Sequence, residues 1–140
     1  MNMQVAQICD QVEIDRTIAA TIDHAGLLGT WINSNPDTTG VTRFVVTEDS
    51  GRLTVQTYAI GPDGIIDWGT ADVTVFASSA SARVATGFAC RYDFGFGETF
   101  LQGMILKGLV VLAQFHTFKD DSNRAPFFVR EYYALDHGRF

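Results

Sequence analysis

The sequence predicts an all-β fold: a single domain built as an eight-stranded antiparallel up-and-down β-barrel with one N-terminal α-helix. Three observations predict it. Between residues 27 and 135, short runs of alternating apolar and polar residues follow one another at strand length. Clusters of Gly, Asn, Asp, Pro and Ser separate the runs, and these residues close hairpins. No repeat, low-complexity segment or internal linker interrupts the succession, so the first strand and the last should meet as barrel neighbours.

In chain order, Asp10-Gln11-Val12-Glu13 has the form of a capping box, and Ile14, Ile18, Ile22 and Ala25 follow at helical spacing. Residues 1–26 are therefore expected to be a helical segment that Gly26 ends, leaning on the barrel wall or forming a lid over its mouth. Gly29-Thr30-Trp31-Ile32-Asn33 begins the barrel, and the turn formers of residues 33–40 make a surface loop. The next two strands, Val41–Glu48 and Arg52–Ile60, meet at Asp49-Ser50-Gly51. A two-residue tip there would place Phe44 and Val46 on one face with Val55 and Thr57.

Gly61-Pro62-Asp63-Gly64 is the following turn, and Ile65–Gly69 leads into a strand over Thr70–Ala77. After the small residues 78–81, a strand over Ala82–Phe94 turns Phe88, Cys90 and Tyr92 to one side, taken as the interior. Phe94-Gly95-Phe96-Gly97 turns the chain again. Strands Glu98–Leu106 and Leu109–Phe118 then join at Lys107-Gly108. That two-residue loop sets Met104 beside Val111, Gln102 beside Ala113 and Phe100 beside Phe115. This set is assigned to the cavity, because it alternates bulk with small residues and offers one amide. The opposite set, including Leu101, Gly103, Leu112, Gln114 and His116, then needs cover from the N-terminal helix or from a second copy in a homodimer. A charged loop, Lys119–Asn123, precedes the last strand, Phe127–Tyr133.

Gly29-x-Trp31 on the first strand with Arg130 on the last resembles the lipocalin or calycin pattern, in which the two residues seal the closed end of an eight-stranded barrel. The likeness covers residues 27–135. An acidic residue, a tyrosine and an arginine in one middle loop, usual in secreted lipocalins, has no counterpart here, which marks an outlying, bacterial-type member. The resemblance implies Arg130 lying over the Trp31 indole, a contact of about 0.5–2 kcal/mol. In size and strand count the chain is also similar to small cofactor-free cyclase barrels of bacterial natural-product pathways.

Composition narrows the function. The chain has 140 residues, a formal charge of −6 and a pI near 4.8, which argues against nucleic acid or an anionic membrane as partner. Cys9 and Cys90 form no disulfide framework and no zinc-ligand spacing. Residues 1–25 lack the apolar run of a secretory signal, and no window approaches a membrane span, so a cytoplasmic protein is expected. His24, His116 and His137 are dispersed, and no nucleophile elbow, metal triad or nucleotide fingerprint appears; no metal or other cofactor is expected. Cys90 reads as a small buried hydrophobe.

The function expected from these features is binding of an apolar small molecule in the barrel cavity. The walls would comprise Phe44, Val55, Phe88, Phe100 and Met104 together with Ala113, Phe115, Phe128 and Tyr132. The favoured reading makes the protein a cofactor-free cyclase that folds a polyene or polyketide-like chain, with Gln102 and Tyr92 as catalytic hydrogen-bonding groups. The alternative is a non-catalytic carrier of a hydrophobic metabolite. A third reading has a solid interior and an outer patch that binds a partner.

Overall fold

The tight turns sit where the chain can take left-handed backbone. Ser50 and Gly51 have φ of 55° and 80°, and Lys107 and Gly108 have 54° and 82°, so both hairpins close with two residues. A computed structural model describes residues 22–137. Its strands are β1 (Gly29–Asn33), β2 (Val41–Asp49), β3 (Arg52–Gly61), β4 (Gly64–Asp72), β5 (Thr74–Ala77), β6 (Ala85–Asp93), β7 (Gly97–Leu106), β8 (Leu109–Phe118) and β9 (Phe127–Leu135). They form one antiparallel sheet in the order β4-β3-β2-β1-β9-β8-β7-β6-β5. The first and last strands are paired, as expected.

The count is nine rather than eight, and the hydrogen-bonded sheet does not close. The expected strand Thr70–Ala77 is divided between two partners. β4 follows β3 as far as the Thr54–Asp72 pair, and the Val73 N–H still donates to Leu53 O at 3.1 Å. From Thr74 the chain pairs with β6 instead. The two edges of the sheet are thus consecutive in the chain, with Val73 between them, giving a barrel-like sheet. Ile65–Gly69, expected as a lead-in, belongs to β4, and Gly69, with φ 83°, sits where the β3–β4 register slips.

Most of the expected N-terminal helix, residues 1–21 with its capping box, lies outside the described residues. At the far end of that segment Ala25–Leu27 makes a single 3₁₀ turn through Gly26, and it delivers Leu27 to the interior with no exposed surface. No helix among the described residues is long and apolar enough to cross a membrane.

Up-and-down order sends alternate connections to opposite ends. The Ala25–Leu27 turn, both two-residue hairpins and residues 78–84 gather at one end, here the closed end. Residues 34–40, 62–63, 94–96 and 119–126 gather at the other, the open end. The closed half is solidly packed. Trp31 Nε1 donates to Leu27 O at 2.9 Å, and its ring stacks 6.4 Å from Phe44, which in turn meets Phe88 at 5.6 Å and Tyr133 at 5.1 Å. Each such buried side chain contributes about 1.5–3 kcal/mol. A Cβ at Gly103 would overlap the Phe88 ring, so glycine on β7 is what lets that ring fill the interior.

The register across the β7–β8 hairpin is the expected one, pairing Met104 with Val111, Gln102 with Ala113 and Phe100 with Phe115. The choice of face is reversed. Leu101, Gly103, Val110, Leu112 and Gln114 face inward, and Phe100, Gln102, Met104, Ala113 and Phe115 lie on the outer surface. Side chains alternate, so one wrong choice inverts a whole hairpin and its neighbour. Phe128, Arg130 and Tyr132 on β9 are outward with them, and Phe100, Phe115 and Phe128 form an external ladder with ring separations of 6.2 and 5.2 Å. On the other strands the expected orientation holds: Phe44, Val55, Phe88 and Tyr92 are buried, with Phe44 opposite Thr57 and Val46 opposite Val55.

Arg130 does not cover Trp31. In the β1–β9 ladder Trp31 faces Leu135, five residues further along, while Arg130 pairs with Ala113 and points outward. The polar partner of the Trp31 indole is instead the Leu27 carbonyl, which accepts from Nε1.

Candidate functional site

Above the apolar half, two tyrosines mark a polar layer. Tyr133 donates to Val41 O at 2.8 Å and accepts from Asn33 Nδ2 at 3.3 Å and Gln114 Nε2 at 3.4 Å. Tyr92 reaches across the interior from β6, its hydroxyl 2.9 Å from Gly69 O, 3.0 Å from Thr57 Oγ1 and 3.2 Å from Val55 O. Having one proton, Tyr92 donates to one carbonyl while the Thr57 hydroxyl can donate to it. Burial raises both phenols, Tyr92 to about 12, so each is neutral and committed to the protein.

Beyond this layer the open end is hollow. A recess of about 550 Å³ is walled by Trp68, Phe94, Phe96, Phe118 and Phe127, with Thr99, His116, Asp67, Glu98 and Arg124 among its polar lining. A second recess of about 400 Å³ shares Ile60, Trp68, His116 and Phe127 with the first and adds Asp37, Thr38, Gln114 and Glu131. The two are therefore lobes of one site.

The lining rings hold one another edge-on. Trp68 meets Tyr92 at 5.4 Å, Phe94 at 5.1 Å and His116 at 6.5 Å, each at a steep interplanar angle. His116 stacks on Phe127 at 4.4 Å, and its Nδ1 is 2.8 Å from Thr99 Oγ1. Burial lowers the His116 pKa from 6.5, so the imidazole is neutral at pH 7. A hydroxyl can give or take the Nδ1 hydrogen bond, which leaves Nε2 able to serve as acceptor or donor. At the rim the Arg124 guanidinium lies 4.2 Å over Phe118 and 5.2 Å from Phe96, and it pairs with Asp120 at 3.0 Å. The β8–β9 loop is tied to the β6–β7 turn by Lys119 N donating to Phe96 O at 2.8 Å.

The residues expected to form the site are mostly elsewhere. Gln102 is exposed on the outer surface with Phe100, Met104, Ala113, Phe115, Phe128 and Tyr132. Phe44, Val55 and Phe88 lie in the packed half beneath the recess. Tyr92 lies below it and meets it through the edge of Trp68. Cys90 is buried, and its thiol is pushed up to about 12, too high to form a thiolate nucleophile at neutral pH. Among the described residues, no three His, Cys, Asp or Glu side chains gather to hold a metal ion.

Trp68, His116, Phe127 and Glu131 were absent from the sequence-based site. One signal in the chain could have found the three rings. In an up-and-down sheet every second connection shares an end, so aromatic residues flanking residues 62–63, 94–96 and 119–126 must converge.

No protein-family model, curated protein or solved structure matches the chain. Lipocalin membership thus finds no support in those comparisons, and what stands is an all-β, barrel-like architecture.

Proposed function

We propose that the protein binds a small, largely apolar organic molecule at the open end, between Trp68, Phe96 and Phe127, with His116 as its hydrogen-bonding partner. The observation that carries this reading is the two-lobed recess, whose larger lobe of about 550 Å³ falls inside the roughly 300–1,000 Å³ of small-molecule sites. Its larger lobe is walled by Trp68, Phe94, Phe96, Phe118 and Phe127, with His116 and Thr99 among the polar groups that could orient a ligand. Binding is better supported than cyclisation. Gln102 is outside the sheet, and the Tyr92 hydroxyl is already engaged by three protein oxygens, so neither group assigned to catalysis faces the recess.

Titration with Nile red, a neutral planar dye that brightens on leaving water, tests the reading against the outer aromatic ladder. One dye should bind per chain, with affinity reduced by Trp68→Ala and Phe127→Ala and unaffected by Phe115→Ala. Loss of binding in Phe115→Ala alone would transfer the site to the external surface and end this proposal.

A further inference from the structure

Several carboxylates at the open end are matched by cations: Asp93 with Lys119 at 2.8 Å, Asp120 with Arg124 at 3.0 Å, and Glu98 with Lys119 and Arg91, both at 3.8 Å. Glu131 and Asp37, which line the smaller lobe, are held differently. Glu131 is half-buried and accepts from the Thr38 hydroxyl at 2.7 Å and from Gln114 Nε2 at 3.4 Å. Asp37 is exposed beside it. Among the described residues, neither has a Lys or Arg within ion-pair distance.

We infer that the ligand of this recess is a lipophilic organic cation, a protonated or quaternary amine on an apolar body; this rests on the small-molecule reading above. Aromatic ring faces carry negative potential and attract such cations, most strongly for tryptophan. Trp68, His116 and Phe127 border both lobes, and Glu131 and Asp37 line the smaller. The one guanidinium in the lining, Arg124, is spent on Asp120 and Phe118 at the rim. His116 brings no positive charge at neutral pH. An anionic ligand would meet Glu131 and Asp37, and the net charge of −6 would repel it from a distance.

Three probes of matched shape test this by calorimetry on the full chain: benzyltrimethylammonium, its neutral carbon isostere neopentylbenzene, and the anion 3-phenylpropanoate. The cation should bind about tenfold more tightly than the neutral probe, with the anion weakest. Glu131→Gln keeps an acceptor for Thr38 and should reduce the ratio of cation to neutral affinity several-fold. If Glu131→Gln proves unfolded by its melt, raising salt on the native protein should shrink the preference without altering neutral binding. Equal affinity for cation and neutral probe, or tightest binding of the anion, would overturn the cation inference and leave an apolar binding site standing. Binding of none of the three would remove both readings.

Discussion

Aromatic rings line both halves of the interior, but they are used in different ways. In the closed half Trp31, Phe44 and Phe88 lie almost wholly buried, and the neighbouring strand gives up its Cβ at Gly103 so that a ring can fill the space. In the open half Trp68, Phe94 and Phe127 touch edge-on or stack on His116, and nearly half of Phe127 remains exposed, 49%. Between them sits the layer of Tyr92 and Tyr133, whose hydroxyls are engaged by backbone carbonyls, the Thr57 hydroxyl and side-chain amides. The comparison teaches that aromatic content alone does not say whether a space is filled. What decides is whether the facing positions are small enough to be packed into and whether buried polar atoms already have partners.

The sharpest way to break the comparison is Phe44→Ala, which empties the centre of the closed half. It should cost about 3–5 kcal/mol by denaturant unfolding. A loss under about 1 kcal/mol would mean that this half is no core. Next in size is Gly103→Ala, whose new methyl overlaps the Phe88 ring and should cost about 1–3 kcal/mol. Phe88→Leu in the same chain should recover part of that, a coupling readable in a double-mutant cycle. Phe127→Ala at the open end should change stability by less than about 1 kcal/mol, its ring being half in water, while weakening Nile red binding several-fold. A large stability loss there would show the open end to be packed like the closed one.

The smallest effect is a pH dependence from His116. Its folded pKa lies below the 6.5 of the free side chain, so the unfolded chain takes up the proton first as pH falls. Its contribution is complete above about pH 6.5 and is lost as pH drops through the depressed folded value. Melting curves between about pH 7.5 and 5 should show a fall that is shallower in His116→Gln. Identical slopes would mean that the ring is not desolvated as described.

Much of the sheet was legible from residue types. Lys107-Gly108 announced a two-residue hairpin, and Phe100 lies opposite Phe115 as read; at Asp49-Ser50-Gly51 the sequence left two or three residues open, and the structure has two, placing Phe44 opposite Thr57. The side of β7, β8 and β9 that faces inward was not legible. Both faces are apolar there, and the outer ladder of Phe100, Phe115 and Phe128 carries more bulk than the buried face. The distinguishing fact was Gly103 against Phe88, a contact between strands whose pairing had to be known first. The break at Val73 was hidden for a similar reason. Alternation continues through it, and only the change of hydrogen-bonding partner from β3 to β6 divides the strand.

Local chemistry by itself determined where this chain turns, which residues pair across its tight hairpins and that the product is an up-and-down antiparallel sheet, because positive φ and period-two alternation are properties of a few adjacent residues. Tertiary structure alone decided which face is inside, where the interior stays hollow and which carboxylates sit beside a cation. Those outcomes depend on side chains brought together from strands far apart in sequence: Phe88 with Gly103, Trp68 with His116, and Glu131 with Thr38.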